Sequence, residues 1–483
     1  MYADAANSQV HYYIIPSLTA SVDCPGKSCL TLAHFAANYI GNETNISLSF
    51  LPGNHSLNGE LSLSHANYFS MTKVIGGNGT VFIQCGSQSG RFDISETTFA
   101  TIKDLHFIGC GGNSVSQVEQ FIVEDTIFEG VEGRGTALVL NEVTDANIAR
   151  NSFLYNAHSS TFQYREVINF LYFEDVLNII LDYVNRNPLL AVGGALYIAF
   201  SKVSIVSSNF TDNRAEIGGA LLAHNSSLHI VRSTYSYNTA NFAGVMITSE
   251  SSINIKNSSF CDNAAEFIGG VIIAYRDYFS IDGATFTNNH AGVNSGVIGT
   301  HKSSFSITNS TFSDNSALEY GGVIVAFNGS FIIKTSTFTN NNADNGGVVF
   351  STLNSDFLFN ITSSTFTNNS AVSGGVVYAK SSSFNIFGSR FYANKANRGI
   401  MLTFECSMHI TNGTFEYNSG SLHIFNSHLT FSGYTRLEKF NITEQSLNGI
   451  SIQSTVIFTG VSSSSHNQAS SGAISATESK IVM

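Results

Sequence analysis

Apolar residues in this chain come in short runs separated by small polar residues, and the runs keep time. Between residues 207 and 404 one phrase returns: an aromatic, two polar residues, an Asn, then Gly-Gly and branched apolar residues. The aromatic–Asn pairs are Phe210/Asn213, Tyr235/Asn238, Phe260/Asn263, Phe286/Asn289, Phe312/Asn315, Phe338/Asn341, Phe366/Asn369, Phe391/Asn394 and Phe415/Asn418. By subtraction the aromatics lie 25, 25, 26, 26, 26, 28, 25 and 24 residues apart. Gly219, Gly244, Gly270, Gly296, Gly322, Gly347, Gly375 and Gly399 keep the same step. Two markers in one register identify a stacked-repeat architecture.

Each period holds three apolar runs, as at 347–350, 357–361 and around Phe366, with Ser, Thr, Asn, Asp and Gly between them. Runs rich in Val, Ile, Phe and Thr and bounded by turn formers read as strands. The i, i+3, i+4, i+7 spacing of a helical repeat is absent. Three strands and three turns in about 25 residues make one coil of a parallel β-helix, with coils stacked at the strand separation of roughly 4.8 Å. Equivalent residues then lie above one another. Inward Phe and Val fill the bore, and the Gly pair permits a turn where a side chain would clash. Asn213, Asn238, Asn263, Asn289, Asn315, Asn341, Asn369, Asn394 and Asn418 form a ladder of side-chain amides. One such Asn is an ordinary turn residue. Nine at one period are a structural ladder rather than a ligand site.

These phrases resemble the GGA[IL]/FxxN repeats of the polymorphic outer-membrane autotransporters of bacteria, and the secreted right-handed β-helix proteins of marine invertebrates such as sponges. The likeness rests on Gly-Gly-Ala-Leu at 193–196 and 218–221, Gly-Gly-Val-Ile at 269–272 and 321–324, and Gly-Gly-Val-Val at 346–349 and 374–377, together with the FxxN set. It runs from about residue 107 onward. It implies an all-β, right-handed, single-stranded parallel β-helix and an extracellular, adhesive or surface-displayed role. The bacterial family's C-terminal membrane barrel has no counterpart here, so its export route is not carried over.

Residues 1–58 are expected to be a lead-in and cap, and 59–483 the β-helix, with regular coils at about 107–420 and no evident cap at the end. Thr31 is placed to N-cap a short helix through Ile40, with Leu32, Phe35, Ala36 and Tyr39 on one face, covering the open end of the bore. After Asn156 the next Gly-Gly is at Gly193. This reads as a longer coil in which Val184/Asn187 supply a degenerate rung. Arg165, Glu166, Glu174 and Asp175 then bulge from one turn, the best candidate for a local interaction site, with an ordinary loop excursion as the alternative.

Composition narrows the role. Charged residues make up 12% of the chain, Lys and Arg total 22, and the net charge is −12. A nucleic-acid partner therefore has no electrostatic footing. No apolar run reaches the ~18 residues of a membrane span, and the opening Met-Tyr-Ala-Asp-Ala-Ala is not a signal peptide. Asn-x-Ser/Thr sequons at Asn42, Asn45, Asn54, Asn78, Asn209, Asn225, Asn257, Asn309, Asn328, Asn360, Asn368, Asn412 and Asn441 point to a secreted glycoprotein. Cys24 and Cys29 form one close pair, and Cys85 and Cys110 lie 25 residues apart, one coil period. Both pairs suit disulfides in an oxidising compartment. Cys261 and Cys406 read as small core residues or free thiols.

Parallel β-helices can host polysaccharide chemistry, and glycosidic hydrolysis needs two carboxylates roughly 5–9.5 Å apart in one groove. The nearest match is Asp212, Asp262 and Asp314, each two residues after the aromatic but on every second rung, so near 10 Å apart. They read as solvated turn residues. His224/His229 and His423/His428 are five apart and do not share a strand face. No catalytic, cofactor-binding or metal-ligating set is assigned. The expectation is a non-enzymatic extracellular structural or adhesive rod that contacts itself, other matrix or surface proteins, or glycans, end to end or laterally. The alternative is a carbohydrate-binding or polysaccharide-degrading β-helix.

Overall fold

A computed structural model describes residues 10–16, 29–39, 44–75, 77–86, 90–133, 136–158, 193–351, 357–420, 422–438, 441–442, 455–459, 463–465, 468–469 and 480–482. The protein is an all-β parallel β-solenoid of about 14 turns with almost no helix. It divides into two compact units, Met1–Ala240 with Ser249–Ser251, and Asn241–Thr248 with Ser252–Met483.

In the second unit a regular coil runs through strands Ile272–Tyr275, Tyr278–Asp282, Thr285–Thr287 and His290–Ala291. Each pairs in parallel with its equivalent one coil on, with Phe279 opposite Phe305, Phe286 opposite Phe312 and Ala291 opposite Ala317. The first unit repeats the plan in Leu196–Ala199, Lys202–Val206, Asn209–Thr211 and Arg214–Ile217. The strands belong to three main sheets, but the first sheet takes two strands from every regular coil. The extra corner separating those two is a single left-handed residue.

Left-handed corners are the local device of this fold. In one coil Lys302, Asn309 and Asp314 have φ of 55°, 49° and 58°. A non-glycine residue in that region costs roughly 1–2 kcal/mol, least for Asn and Asp, so the surroundings must hold it there. The residue after each corner turns inward and is buried: Ser303, Ser310 and Asn315. Its oxygen accepts a backbone N–H from the equivalent position of the preceding coil: Asp277 N to Ser303 Oγ at 3.0 Å, Ala284 N to Ser310 Oγ at 3.2 Å, and Asn289 N to Asn315 Oδ1 at 3.0 Å. Three polar ladders thus run beside the apolar bore where one was expected.

The bore is a stack of rings. In the first unit Phe128–Phe153, Phe153–Phe210 and Phe210–Tyr235 have centroids 5.0, 4.7 and 4.6 Å apart. In the second, Phe286–Phe312 and Phe312–Phe338 lie 4.7 and 4.8 Å apart, and a parallel Phe279–Phe305–Phe331 stack keeps 4.6 and 4.8 Å. The Gly pairs sit where coils press together. Gly269 takes φ +73°, and a Cβ on Gly270 would lie 2.1 Å from the Gly296 carbonyl oxygen.

Two expectations change. Strand Ser152–Leu154 pairs directly with Asn209–Thr211, and Phe153 with Phe210. No rung intervenes between these two strands. An apolar residue three places before an Asn recurs by chance in a chain this rich in both, and here the ladder closes past it. Val184, Asn187, Arg165, Glu166, Glu174 and Asp175 themselves lie outside the described residues. Parallel pairing also begins ahead of residue 59: Val10–Ile14 pairs with Asn45–Phe50, and Gly53–Leu57 with Val81–Cys85.

The helix forms at Leu32–Asn38, shorter than the span to Ile40. Thr31 Oγ1 accepts from His34 N at 3.2 Å, satisfying one of the free first-turn donors. Leu32 and Phe35 are buried, with the Phe35 ring edge-on to Tyr12.

Candidate functional site

The asparagines and serines buried at the corners are consumed by structure. Asn315 shows the pattern. Its Oδ1 accepts both N and Nδ2 of Asn289 at 3.0 and 2.9 Å, and its Nδ2 donates to Phe286 O and Asn341 Oδ1 at 2.9 and 3.0 Å. Asn341, Asn369 and Asn394 repeat this toward Asn418, and Asn263 feeds Asn289. In the first unit Asn156, Asn213 and Asn238 do the same. The Asn ladder expected at Asn213, Asn238, Asn263, Asn289, Asn315, Asn341, Asn369, Asn394 and Asn418 occupies one corner, every member fully buried.

Two Ser ladders were missed. One corner holds Ser201, Ser226 and Ser251 in the first unit. The other holds Ser310, Ser336, Ser364 and Ser389 in the second. Serine is too common in this chain for its period to stand out.

Asp212, Asp262 and Asp314 are left-handed corner residues, with φ of 54°, 56° and 58°. Asn288 Nδ2 donates to Asp262 Oδ1 at 2.5 Å, and Asn340 Nδ2 to Asp314 Oδ1 at 3.0 Å. The adjacent rungs of this corner carry Tyr155, Tyr237, Asn288 and Asn340 rather than carboxylates. Among the described residues, no group of three His, Cys, Asp or Glu side chains is placed to hold a metal ion.

Several sequons occupy the same corners. Asn225, Asn257, Asn309, Asn328, Asn368 and Asn412 have φ between 43° and 54°. The coil explains why. A left-handed corner favours Asn, an inward residue follows, and the next residue begins an outward-facing strand with Ser or Thr. The ladder asparagines escape the sequon because a small, mostly buried Ala stands two places on, as at Ala265, Ala317 and Ala343. Asn45, Asn54, Asn209 and Asn360 lie on strands, Asn78 lies in an exposed loop, and Asn441 begins a two-residue strand. Asn42 lies outside the described residues.

Cys85 and Cys110 form a disulfide with a Cα–Cα distance of 5.1 Å. Cys29 is disulfide-bonded, and Cys24, its expected partner, lies outside the described residues. Cys261 and Cys406 are free, and burial pushes the Cys406 thiol up to about 11.

Titrating groups are few. Burial lowers His55, His224 and His423, with the Leu51 carbonyl partly opposing this at His55. The hydrogen-bonded Arg150 guanidinium, 2.7 and 2.9 Å from the two oxygens of Asp125, holds that carboxyl below its usual range.

Among the described residues the outward faces carry exposed Tyr155, Phe200 and Tyr237 in the first unit, and two apolar groupings stand out in the second. An aromatic row, in which Phe350 is buried, joins Tyr320 to Phe350, Phe350 to Tyr378 and Tyr378 to Phe404, with ring centroids 4.4, 5.1 and 5.9 Å apart. An exposed apolar group comprises Ile332, Leu358 and Phe387.

Residues 243–415 match the family model described as a right-handed β-helix region. No curated protein matches the sequence. Similar solved structures include PfbA, a surface adhesin of Streptococcus pneumoniae, at 11% identity and TM-score 0.33 over 83% of each chain. A mutant of the PL6 family alginate lyase AlyGC is also similar, at 7% identity and TM-score 0.14 over 93% of this chain and 98% of that one. No helix among the described residues is long and apolar enough to cross a membrane.

Proposed function

We propose that the protein is a non-enzymatic, secreted structural or adhesive glycoprotein, whose β-helix presents faces for contact with itself or with other matrix or surface proteins. One observation carries this reading: the buried corner asparagines and serines are spent on inter-coil ladders, and Asp262 and Asp314, nearest to a catalytic arrangement, are corner residues bonded to amides. The Cys85–Cys110 disulfide favours an oxidising compartment. Incubation with acidic and neutral polysaccharides, read by reducing ends and by absorbance of unsaturated products, tests the absence of catalysis. Product formation would overturn it. Electron microscopy of concentrated protein tests the contact role, with end-to-end or lateral association expected.

The aromatic row of Tyr320, Phe350 and Tyr378 favours a second reading, a carbohydrate-binding or carbohydrate-degrading β-helix. Sugar rings stack on such faces. Retention on a polysaccharide matrix that is lost in Tyr378→Ser would favour it.

A further inference from the structure

We propose that Asn360 carries an N-linked glycan whose first sugars cover an exposed apolar patch on the second unit. The proposal rests on the secreted-glycoprotein reading and adds a site and a purpose for it. Strand Phe357–Thr362 pairs with Ile324–Lys334 on one side and Ser382–Phe387 on the other. Its outward residues are Leu358, Asn360 and Thr362, since Phe359 and Ile361 point into the bore. Asn360 stands opposite Ile332 on one neighbour and Asn385 on the other, and Thr362 opposite Phe387. Leu358 lies two residues before Asn360, and Phe387 lies one rung and two residues away. Ile332, Leu358 and Phe387 are 37%, 37% and 50% exposed. They flank Asn360 on three sides, with Asn385 on the fourth, and Asn360 opens the sequon Asn360-Ile361-Thr362.

A flat parallel sheet offers large outward apolar residues no cover of its own, and contiguous exposed patches favour association. In-column neighbours lie roughly 4.8 Å apart and residues two apart on a strand lie roughly 6.6 Å apart, so each of the three side chains lies within about two such steps of Asn360 and within reach of the first sugars of a glycan rooted there. The amide is already oriented. Asn385 Nδ2 donates to Asn360 Oδ1 at 2.9 Å, and no hydrogen bond among the described residues engages Asn360 Nδ2. With Oδ1 held toward Asn385, Nδ2 is turned toward the rung that carries Ile332. By contrast Asn309, a corner sequon, donates its Nδ2 to Asp282 Oδ1 at 3.0 Å.

The co-reactant is a lipid-pyrophosphate-linked oligosaccharide. Nδ2 attacks the anomeric carbon and loses one proton, a C–N bond forms, and the C–O bond to the lipid pyrophosphate breaks, releasing that pyrophosphate. The first sugars then lie over Phe387 on one side of Asn360 and Leu358 on the other.

The experiment is secretion of the full chain from a eukaryotic host, glycopeptide mass spectrometry, and comparison with Thr362→Gln. That variant removes the sequon but keeps Asn360 and its bond to Asn385. The expected result is an occupied Asn360, and in Thr362→Gln a several-fold rise in binding of a hydrophobic dye with concentration-dependent association, both reversed by adding Phe387→Ser. Occupied corner sequons such as Asn257 with a bare Asn360 would overturn this inference and leave the secreted-glycoprotein reading standing. A bare set of sequons on secreted protein would overturn both. An occupied Asn360 whose removal leaves dye binding unchanged would sink the covering role.

Discussion

The early coils of the first unit and the regular coils of the second meet the same requirement by different means. Between residues 50 and 110 the rungs differ from one another, and the polar groups find one-off partners. His55 Nε2 meets the Leu51 carbonyl at 2.8 Å, Asn113 Oδ1 accepts Phe92 N at 3.1 Å, and a disulfide ties Cys85 to Cys110. Between residues 260 and 415 one solution is copied: each Asn bonds the next and each Phe stacks on the next. Repetition lets an identical neighbour satisfy a buried group. Where repetition fails, covalent and one-off contacts take over. Substitutions should therefore cost most in the copied ladder, and reduction should matter most in the early coils.

The largest effect is expected at Asn315→Ala. It strips acceptors from both amide groups of Asn289 and a donor from the Phe286 carbonyl. Buried groups left without partners cost about 1–3 kcal/mol each, so denaturant unfolding should show a loss of several such increments. Asn288→Ala removes an exposed amide beside Asn289 and puts Ala at a left-handed corner, which together should cost about 1–2 kcal/mol. Equal losses at the two positions would mean that the ladder is not what holds these coils.

Reduction of Cys85–Cys110 comes next. It closes a loop of 25 residues, worth about 3 kcal/mol in the chain-entropy account. Hydrogen exchange after mild reduction should open the early rungs and spare the amides of residues 286–369. Uniform opening of both regions would erase the contrast. Gly270→Ala should follow, at about 1–3 kcal/mol for forcing coils apart, because its Cβ would meet the Gly296 carbonyl oxygen at 2.1 Å. Gly130→Ala, with nothing within 4 Å of the added atom, should cost only the strain of a left-handed residue at φ +68°, about 1 kcal/mol.

The contrast also explains what could be read without coordinates. The Phe–Asn and Gly–Gly beats were legible because a stacked position that must be filled one way is filled the same way in every coil. The strands after the ladder Asn were not. Thr239–Phe242 and His290–Ala291 are short, and the residues they bury beyond Phe242 are alanines, so they carry no apolar run. Corners such as Arg276 and Lys302 were invisible for another reason: the left-handed conformation is imposed by the ladder behind them, not by their own preference. The same surroundings gave Asp262 and Asp314 their place, so the search for paired carboxylates met a corner instead of a groove.

Acid should separate the two regions by the smallest margin. His55 is buried beneath Phe50, edge-on at 5.2 Å, and burial lowers its pKa, with the Leu51 carbonyl bond opposing this in part. The folded chain therefore holds His55 neutral at a pH where the unfolded chain, with a pKa of about 6.5, takes up a proton. Below that value the unfolded state binds more protons, so stability falls as pH drops from about 6.5 and levels off once the folded pKa is passed. Residues 312–391 contain no histidine, and the Asn and Ser ladders that cross them do not titrate. Hydrogen exchange compared at pH 7.5 and pH 5.5, after correction for intrinsic rates, should show protection lost at residues 46–57 and retained at residues 331–369. His55→Gln should flatten the acid response of the early coils while lowering their stability at neutral pH. An unchanged acid response in that variant would move the titration elsewhere, to His224 in the same unit, whose pKa burial also lowers.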